Sequence, residues 1–176
     1  MKKKCALLLI AAMVCMMLTA CGKEDGMTKV KLTEVAHSIF YAPMYVAIEE
    51  GIKQGYTEFL LYGSLGGRIE HSIANIQILS KLASQKIKAK LIDQNTIVEV
   101  LTEGTYIYDQ ELNGFLSLFS LSEKSVISLK NLKYELDKKE LTHLFPLGID
   151  NEFIGLVSTI YIHQGLVLSI ISKKNA

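Results

Sequence analysis

Runs of alternating and helically spaced apolar residues divide this chain into a series of short elements. Thr28-Lys29-Val30-Lys31-Leu32-Thr33-Glu34-Val35 alternates polar and apolar positions and predicts a half-buried strand. Residues 44–50 predict a helix that stops at Gly51 as its C-terminal cap. Residues 57–62 read as a second strand, Gly63-Ser64-Leu65-Gly66-Gly67-Arg68 as a glycine turn, and residues 69–83 as an amphipathic helix. The helix follows from Ile69, Ile73, Ile76, Leu79 and Leu82, which recur at helical spacing. Strands are predicted over residues 87–92 and 96–101, with Asp93-Gln94-Asn95 between them, and over 105–108 and 125–129. The charged run 131–141 predicts a solvated surface helix. Residues 153–171 carry no charge, which raises a membrane span, but Ser158, Thr159, His163, Gln164 and Gly165 interrupt the run. Its β-branched content predicts instead a C-terminal β-hairpin turning at His163-Gln164-Gly165.

The front of the chain has a different pattern. Lys2, Lys3 and Lys4 precede a charge-free apolar stretch, residues 5–18, of about 14 residues, short of the roughly 20 that cross a bilayer as a permanent helix. Leu18-Thr19-Ala20-Cys21 follows and reads as a lipobox, in which the Cys21 thiol accepts a lipid and cleavage makes Cys21 the new N-terminus. This predicts a lipoprotein signal over residues 1–20, a polar tether over 21–27 and a single α/β domain over 28–176. It also predicts an extracytoplasmic protein held to the bacterial cell membrane by the lipid on Cys21.

Composition narrows the chemistry. Cys5 and Cys15 would be removed with the signal and Cys21 lipidated, so no thiol remains for a disulfide, a metal or a nucleophile. With the three leading lysines gone, 19 Lys and Arg fall to 16 against 18 Asp and Glu, and this near-neutral balance argues against a nucleic-acid partner. One domain of ordinary size is expected from the length.

The loop His37-Ser38-Ile39-Phe40-Tyr41-Ala42-Pro43 places two aromatics, a histidine and a hydroxyl between a strand and a helix, where open α/β sheets bind ligands. The run from Lys29 to Gly51, with the lipobox, resembles the start of ABC-transporter substrate-binding lipoproteins of the nitrate, sulfonate, taurine and thiamine-precursor type. The resemblance covers residues 1–51. It implies one lobe of a periplasmic-binding-protein-like α/β fold, an ABC permease as partner, and a small solute such as a heterocyclic precursor, a sulfonate or nitrate. It implies no cofactor and no enzymatic activity. Carried over by position, His37, Ser38, Phe40, Tyr41 and Tyr45 would face the ligand. Phe40 and Tyr41 suit a planar heterocycle, and His37 and Ser38 offer hydrogen bonds. Gly66, Gly67 and Arg68 form a candidate anion-binding turn at a helix N-terminus, against the plainer reading of a strand-to-helix connection.

The chain is too short for the two lobes that the resemblance implies, so a truncated or frameshifted member is expected. Two alternatives remain: a small structural or partner-binding lipoprotein without a ligand cleft, and an enzyme of pyrimidine-precursor chemistry on the same fold. His37, His71, His143 and His163 are far apart in sequence, with no spacing that marks a metal site or a catalytic constellation.

Overall fold

The computed structural model describes residues 32–33 and 41–174. In chain order the elements are β1 (Leu32–Thr33), α1 (Tyr41–Lys53), β2 (Glu58–Tyr62), α2 (Ile69–Ser84), β3 (Lys88–Ile92), β4 (Thr96–Leu101), β5 (Gly104–Tyr108) and β6 (Gly114–Ser120). They continue with β7 (Lys124–Lys130), β8 (Leu136–Thr142), β9 (Gly148–Glu152), β10 (Ser158–Gln164) and β11 (Val167–Lys173).

Two sheets organise these strands. One has seven strands in the order β1-β2-β3-β4-β11-β6-β9, the other four in the order β5-β10-β7-β8. Only β1, β2 and β3 run parallel; from β3 to β4 onward every pairing in both sheets is antiparallel. The large sheet serves two cores. On one face α1 and α2 cover it, burying Met44, Ile48, Leu79 and Leu82 against Leu61, Leu91, Val98 and Leu168. On the other face β4, β11 and β6 pack on the small sheet, closing Leu101, Leu116, Leu118, Val167 and Ile171 over Ile127, Leu129, Leu141 and Ile160.

This arrangement corrects the expectation of a periplasmic-binding-protein-like lobe. Such a lobe is a mostly parallel sheet with helices on both faces, whereas most of the described chain here is an antiparallel sandwich joined edge to edge to a short β-α-β unit. The C-terminal hairpin is corrected too. Two strands form where expected and turn at Gly165, but β10 joins the small sheet and β11 the large one, so they pair with different neighbours. The charge-free run has a physical cause in that placement. β11 lies in the middle of the large sheet with helices on one side and strands on the other, so Val-Leu-Ser-Ile-Ile must be apolar on both faces. No helix among the described residues is long and apolar enough to cross a membrane.

Residues 131–141 are not a helix. β8 occupies Leu136–Thr142 as an edge strand of the small sheet, and its Asp-Lys-Lys-Glu composition is what an exposed edge carries to discourage further pairing. Its pairing with β7 is interrupted by a register shift, with Lys138 at φ 43. Gly51 is likewise no cap. It lies inside α1, where an added Cβ would sit 2.8 Å from the Phe59 ring, so its missing side chain lets the helix pack on β2.

Candidate functional site

The chemistry-bearing feature nearest the parallel part of the sheet is the turn at residues 63–68, which leads from β2 into the 16-residue helix α2. Gly63, Gly66 and Gly67 have φ of 71°, 85° and 64°, a region that residues with a Cβ enter only at a cost. A Cβ at Gly66 would meet nothing within 4 Å, so the space outside the turn is open. Arg68 is the N-cap residue and makes no side-chain capping bond. The first N–H groups of a helix have no partner within the helix and favour negative charge.

A negative group already occupies this helix start. The Glu70 carboxyl is held below its ordinary value, first by a hydrogen bond from its own backbone N–H and then by Arg68, whose guanidinium lies 2.5 Å from it. Both side chains are more than half exposed, so the pair adds little stability. The groups that favour the Glu70 carboxylate are its own backbone N–H in the first turn of α2 and the Arg68 guanidinium.

Beneath the turn, Asn75 is 1% exposed and donates from Nδ2 to the Ser64 carbonyl at 2.7 Å. Its Oδ1 has no hydrogen-bond partner among the described residues. Ile69 and Ile73, meanwhile, are 75% and 52% exposed. The first turns of α2 thus put a polar residue inward and apolar residues outward, against the amphipathic pattern.

Register places other loops at the same end of the large sheet. Tyr62 aligns with Ile92, Ile92 with Ile97, Thr96 with Ser172, Lys173 with Gly114, and Phe115 with Glu152. There Glu152 bonds to Lys174 and, at 2.9 Å, to Lys133, and these two ammonium groups pull its carboxyl down to about 2. Asn151, buried, accepts from the Tyr134 N–H at 2.9 Å and donates to the Tyr134 carbonyl at 2.7 Å. These bonds fix a rim on which Tyr134, Ile154, Leu156 and Val157 are exposed. From β2 to β6 is four strand spacings, roughly 19 Å, so the rim and the glycine turn are separate within one chain.

Of the residues singled out from sequence, Gly66, Gly67 and Arg68 fall together at the turn. His37, Ser38 and Phe40 lie outside the described residues, as does Cys21. Tyr41 begins α1, and the Tyr45 side chain on that helix is 40% exposed. His163, read as a lone residue, is paired: its Nε2 is 2.8 Å from Ser128 Oγ, which also accepts the Lys138 N–H at 2.8 Å and lies 3.4 Å from Asp137. Ser128 is only 4% exposed. A cavity of about 560 Å³ opens at the opposite end of the sandwich, walled by Ser122, Lys124, Glu140, His143 and Gln164. Among the described residues no group of three or more His, Cys, Asp or Glu side chains could hold a metal ion. Ser64 and Asn75 were not singled out from sequence. The available signal was a polar residue one helical turn before Leu79 in the helix that follows the glycine turn.

No known family profile matches the chain. Over 112 residues it is 31% identical to thiamine pyrophosphokinase of Bacillus subtilis, covering 62% of this chain and 52% of that protein. The chain therefore spans about half the length of this curated relative. The crystal structure of the Bacillus subtilis thiamine pyrophosphokinase superposes with a TM-score of 0.70 at 27% identity, covering 75% of this chain and 63% of the other. That of the Geobacillus thermodenitrificans enzyme gives 0.66 at 26%, covering 76% and 62%. A shorter stretch of 34 residues is 62% identical to the putative binding protein YtlA of Bacillus subtilis, covering 19% of this chain and 10% of that protein.

These findings overturn the assignment to ABC-transporter substrate-binding lipoproteins. The likeness to a binding protein is confined to a short stretch, while the larger similarity in sequence and the fold are to kinases. The expectation of a non-enzyme falls with it, since the relative and solved structures that match most of the chain are thiamine pyrophosphokinases, which are enzymes. The ABC permease and the heterocyclic, sulfonate or nitrate-like solute rested on that assignment and fall with it; the lipid anchor and extracytoplasmic location, read from the lipobox, are corrected by the same similarity to thiamine pyrophosphokinases. The identity to a binding protein is high but spans 34 residues, 19% of the chain, which is why a local match carried the wrong whole. The fold of the described residues matches that of the thiamine pyrophosphokinases.

Proposed function

We propose that this chain takes part in pyrophosphoryl transfer to thiamine, and that the turn at residues 63–68 holds the phosphate groups. The observation that carries the reading is the open glycine turn, which leads into a helix start already occupied by the Glu70 carboxylate. A phosphate oxygen is the same kind of group with more charge, and it would displace Glu70 and take Arg68 as counter-ion. In the reaction the thiamine hydroxyl oxygen forms a bond to phosphorus of the donor, the bond from that phosphorus to the donor's leaving oxygen breaks, and the hydroxyl proton passes to solvent. The chain's part is to hold and orient the charged groups. The similarity to thiamine pyrophosphokinases supports the substrate class.

The test is formation of thiamine pyrophosphate from thiamine and ATP by the purified full chain, followed by chromatography. Product that falls about tenfold or more in Arg68→Ala is expected, the loss of one charge-assisted hydrogen bond. Absence of product from the unaltered chain, or an Arg68→Ala variant of full activity, contradicts the proposal.

A further inference from the structure

We infer that Asn75 is the positioning residue of the glycine turn, holding it open from below. This rests on the reading of the turn as a phosphate-holding site. Three observations converge. Asn75 is 11 residues from Ser64 in sequence yet donates to its carbonyl at 2.7 Å, from a position that is 1% exposed. Ser64 is itself buried at 8%, so this bond is shielded from competing water. Finally, Asn75 Oδ1 lacks a partner among the described residues, which a buried amide tolerates only at a cost to stability. An apolar residue here would pack with Ile78, Leu79 and Leu82 on the same buried face of α2 without that cost. The side chain thus serves the turn more than the core.

The physical consequence is directional. With the Ser64 carbonyl drawn inward and fixed, the peptide groups that follow, through the positive-φ pair Gly66 and Gly67, are set in one orientation at the helix start. Without that anchor three glycines within five residues leave the turn with many accessible conformations, and an anion that needs converging N–H groups must first order them. Asn75 touches no substrate in this account. It acts through the backbone of the turn.

The test uses the full chain without ligand first. Amide hydrogen exchange at residues 64–68 is compared among the unaltered protein, Asn75→Asp and Asn75→Leu, with residues 124–130 of β7 as internal reference. Exchange at the turn should quicken in both variants while β7 stays unchanged. In the unaltered protein the Asn75 side-chain N–H should itself be protected, a measurement that stands if either variant fails to fold. Inorganic pyrophosphate titrated into each protein should bind about tenfold more weakly to the variants, the scale of one hydrogen bond. Unchanged exchange at the turn, or an Asn75 side-chain N–H exchanging as at the surface, overturns the positioning role. If the unaltered protein does not bind pyrophosphate at all, the functional reading fails while the exchange data still decide the role of Asn75.

Discussion

Two glycines with similar backbone strain and opposite surroundings separate the turn's function from the fold's stability. Gly66 has φ 85° and open space where a Cβ would be; Gly114 has φ 145°, and a Cβ there would lie 2.3 Å from the Ser172 carbonyl oxygen and 2.9 Å from Lys173 Cα. Gly66→Ala therefore costs backbone strain alone, about 1 to 2 kcal/mol. Gly114→Ala adds to a similar strain the forced separation of β6 from β11, where overpacking costs typically about 1 to 3 kcal/mol more. For a chain of this size about 1 kcal/mol lowers Tm by about 2 to 4 °C, so Gly66→Ala should melt roughly 2 to 8 °C lower and Gly114→Ala roughly 4 to 20 °C lower. Binding should show the reverse order. Calorimetric titration with inorganic pyrophosphate should find Gly66→Ala weakened several-fold, because its turn is distorted, and folded Gly114→Ala equal to the unaltered protein. Equal melting losses in the two variants would refute the steric argument, and a Gly66→Ala protein with unaltered pyrophosphate affinity would refute the role of the turn.

Other consequences follow from the ion pairs and the buried hydroxyl. The Glu152 carboxyl, held near 2 by Lys174 and Lys133 against an ordinary 4.5, contributes stability that is complete above about pH 4.5 and lost as pH falls toward 2. Glu152→Gln should therefore flatten Tm against pH across that window, and an unchanged slope counts against the pairing. The Glu70 carboxylate competes for the helix start, so Glu70→Gln should bind pyrophosphate more tightly in titration; weaker binding would mean that Glu70 assists the anion instead. Tyr108 donates to Glu99 Oε1 at 3.1 Å while Lys90 holds Oε2 at 3.1 Å, and burial pushes the Tyr108 phenol up, with the Glu99 carboxylate adding to it. Tyr108→Phe keeps the ring contact with Phe153, at 5.7 Å between centroids, but removes the bond to a buried charge. It should cost about 1.5 to 3 kcal/mol by urea unfolding, and a loss under about 0.5 kcal/mol would show the hydroxyl to be dispensable.

Local pattern was legible where one face of an element decides its residues. Thr96–Leu101 and the helix at 69–84 emerge from alternation and from apolar spacing almost to the residue. Pairing was not legible, because sequence neighbours on either side of Gly165 go to different sheets, and nothing in a two-strand pattern with a turn distinguishes a hairpin from a crossover. Edge strands were hidden by their own chemistry: β8 is made of lysines and acids that favour helices in isolation, and only its place beside β7 makes it a strand. The glycine turn was visible, with Gly66, Gly67 and Arg68 as a candidate anion-binding turn beside the plainer reading of a strand-to-helix connection, but Asn75 was not. Its role depends on a carbonyl 11 residues away, a contact that exists only after β2 and α2 have packed. The family reading went astray for a related reason. It rested on the front of the chain, whereas the fold is specified by the order in which later strands enter two sheets.

The central claim is that residues 63–68 hold phosphate groups, and the most direct measurement is backbone amide mapping of the full chain titrated with inorganic pyrophosphate. The account predicts saturable shifts largest at Gly66, Gly67 and Arg68 and in the first turn of α2, weakened by salt and reduced in Arg68→Ala. Shifts confined to Lys133, Lys174 and their neighbours, or none that saturate, would contradict it.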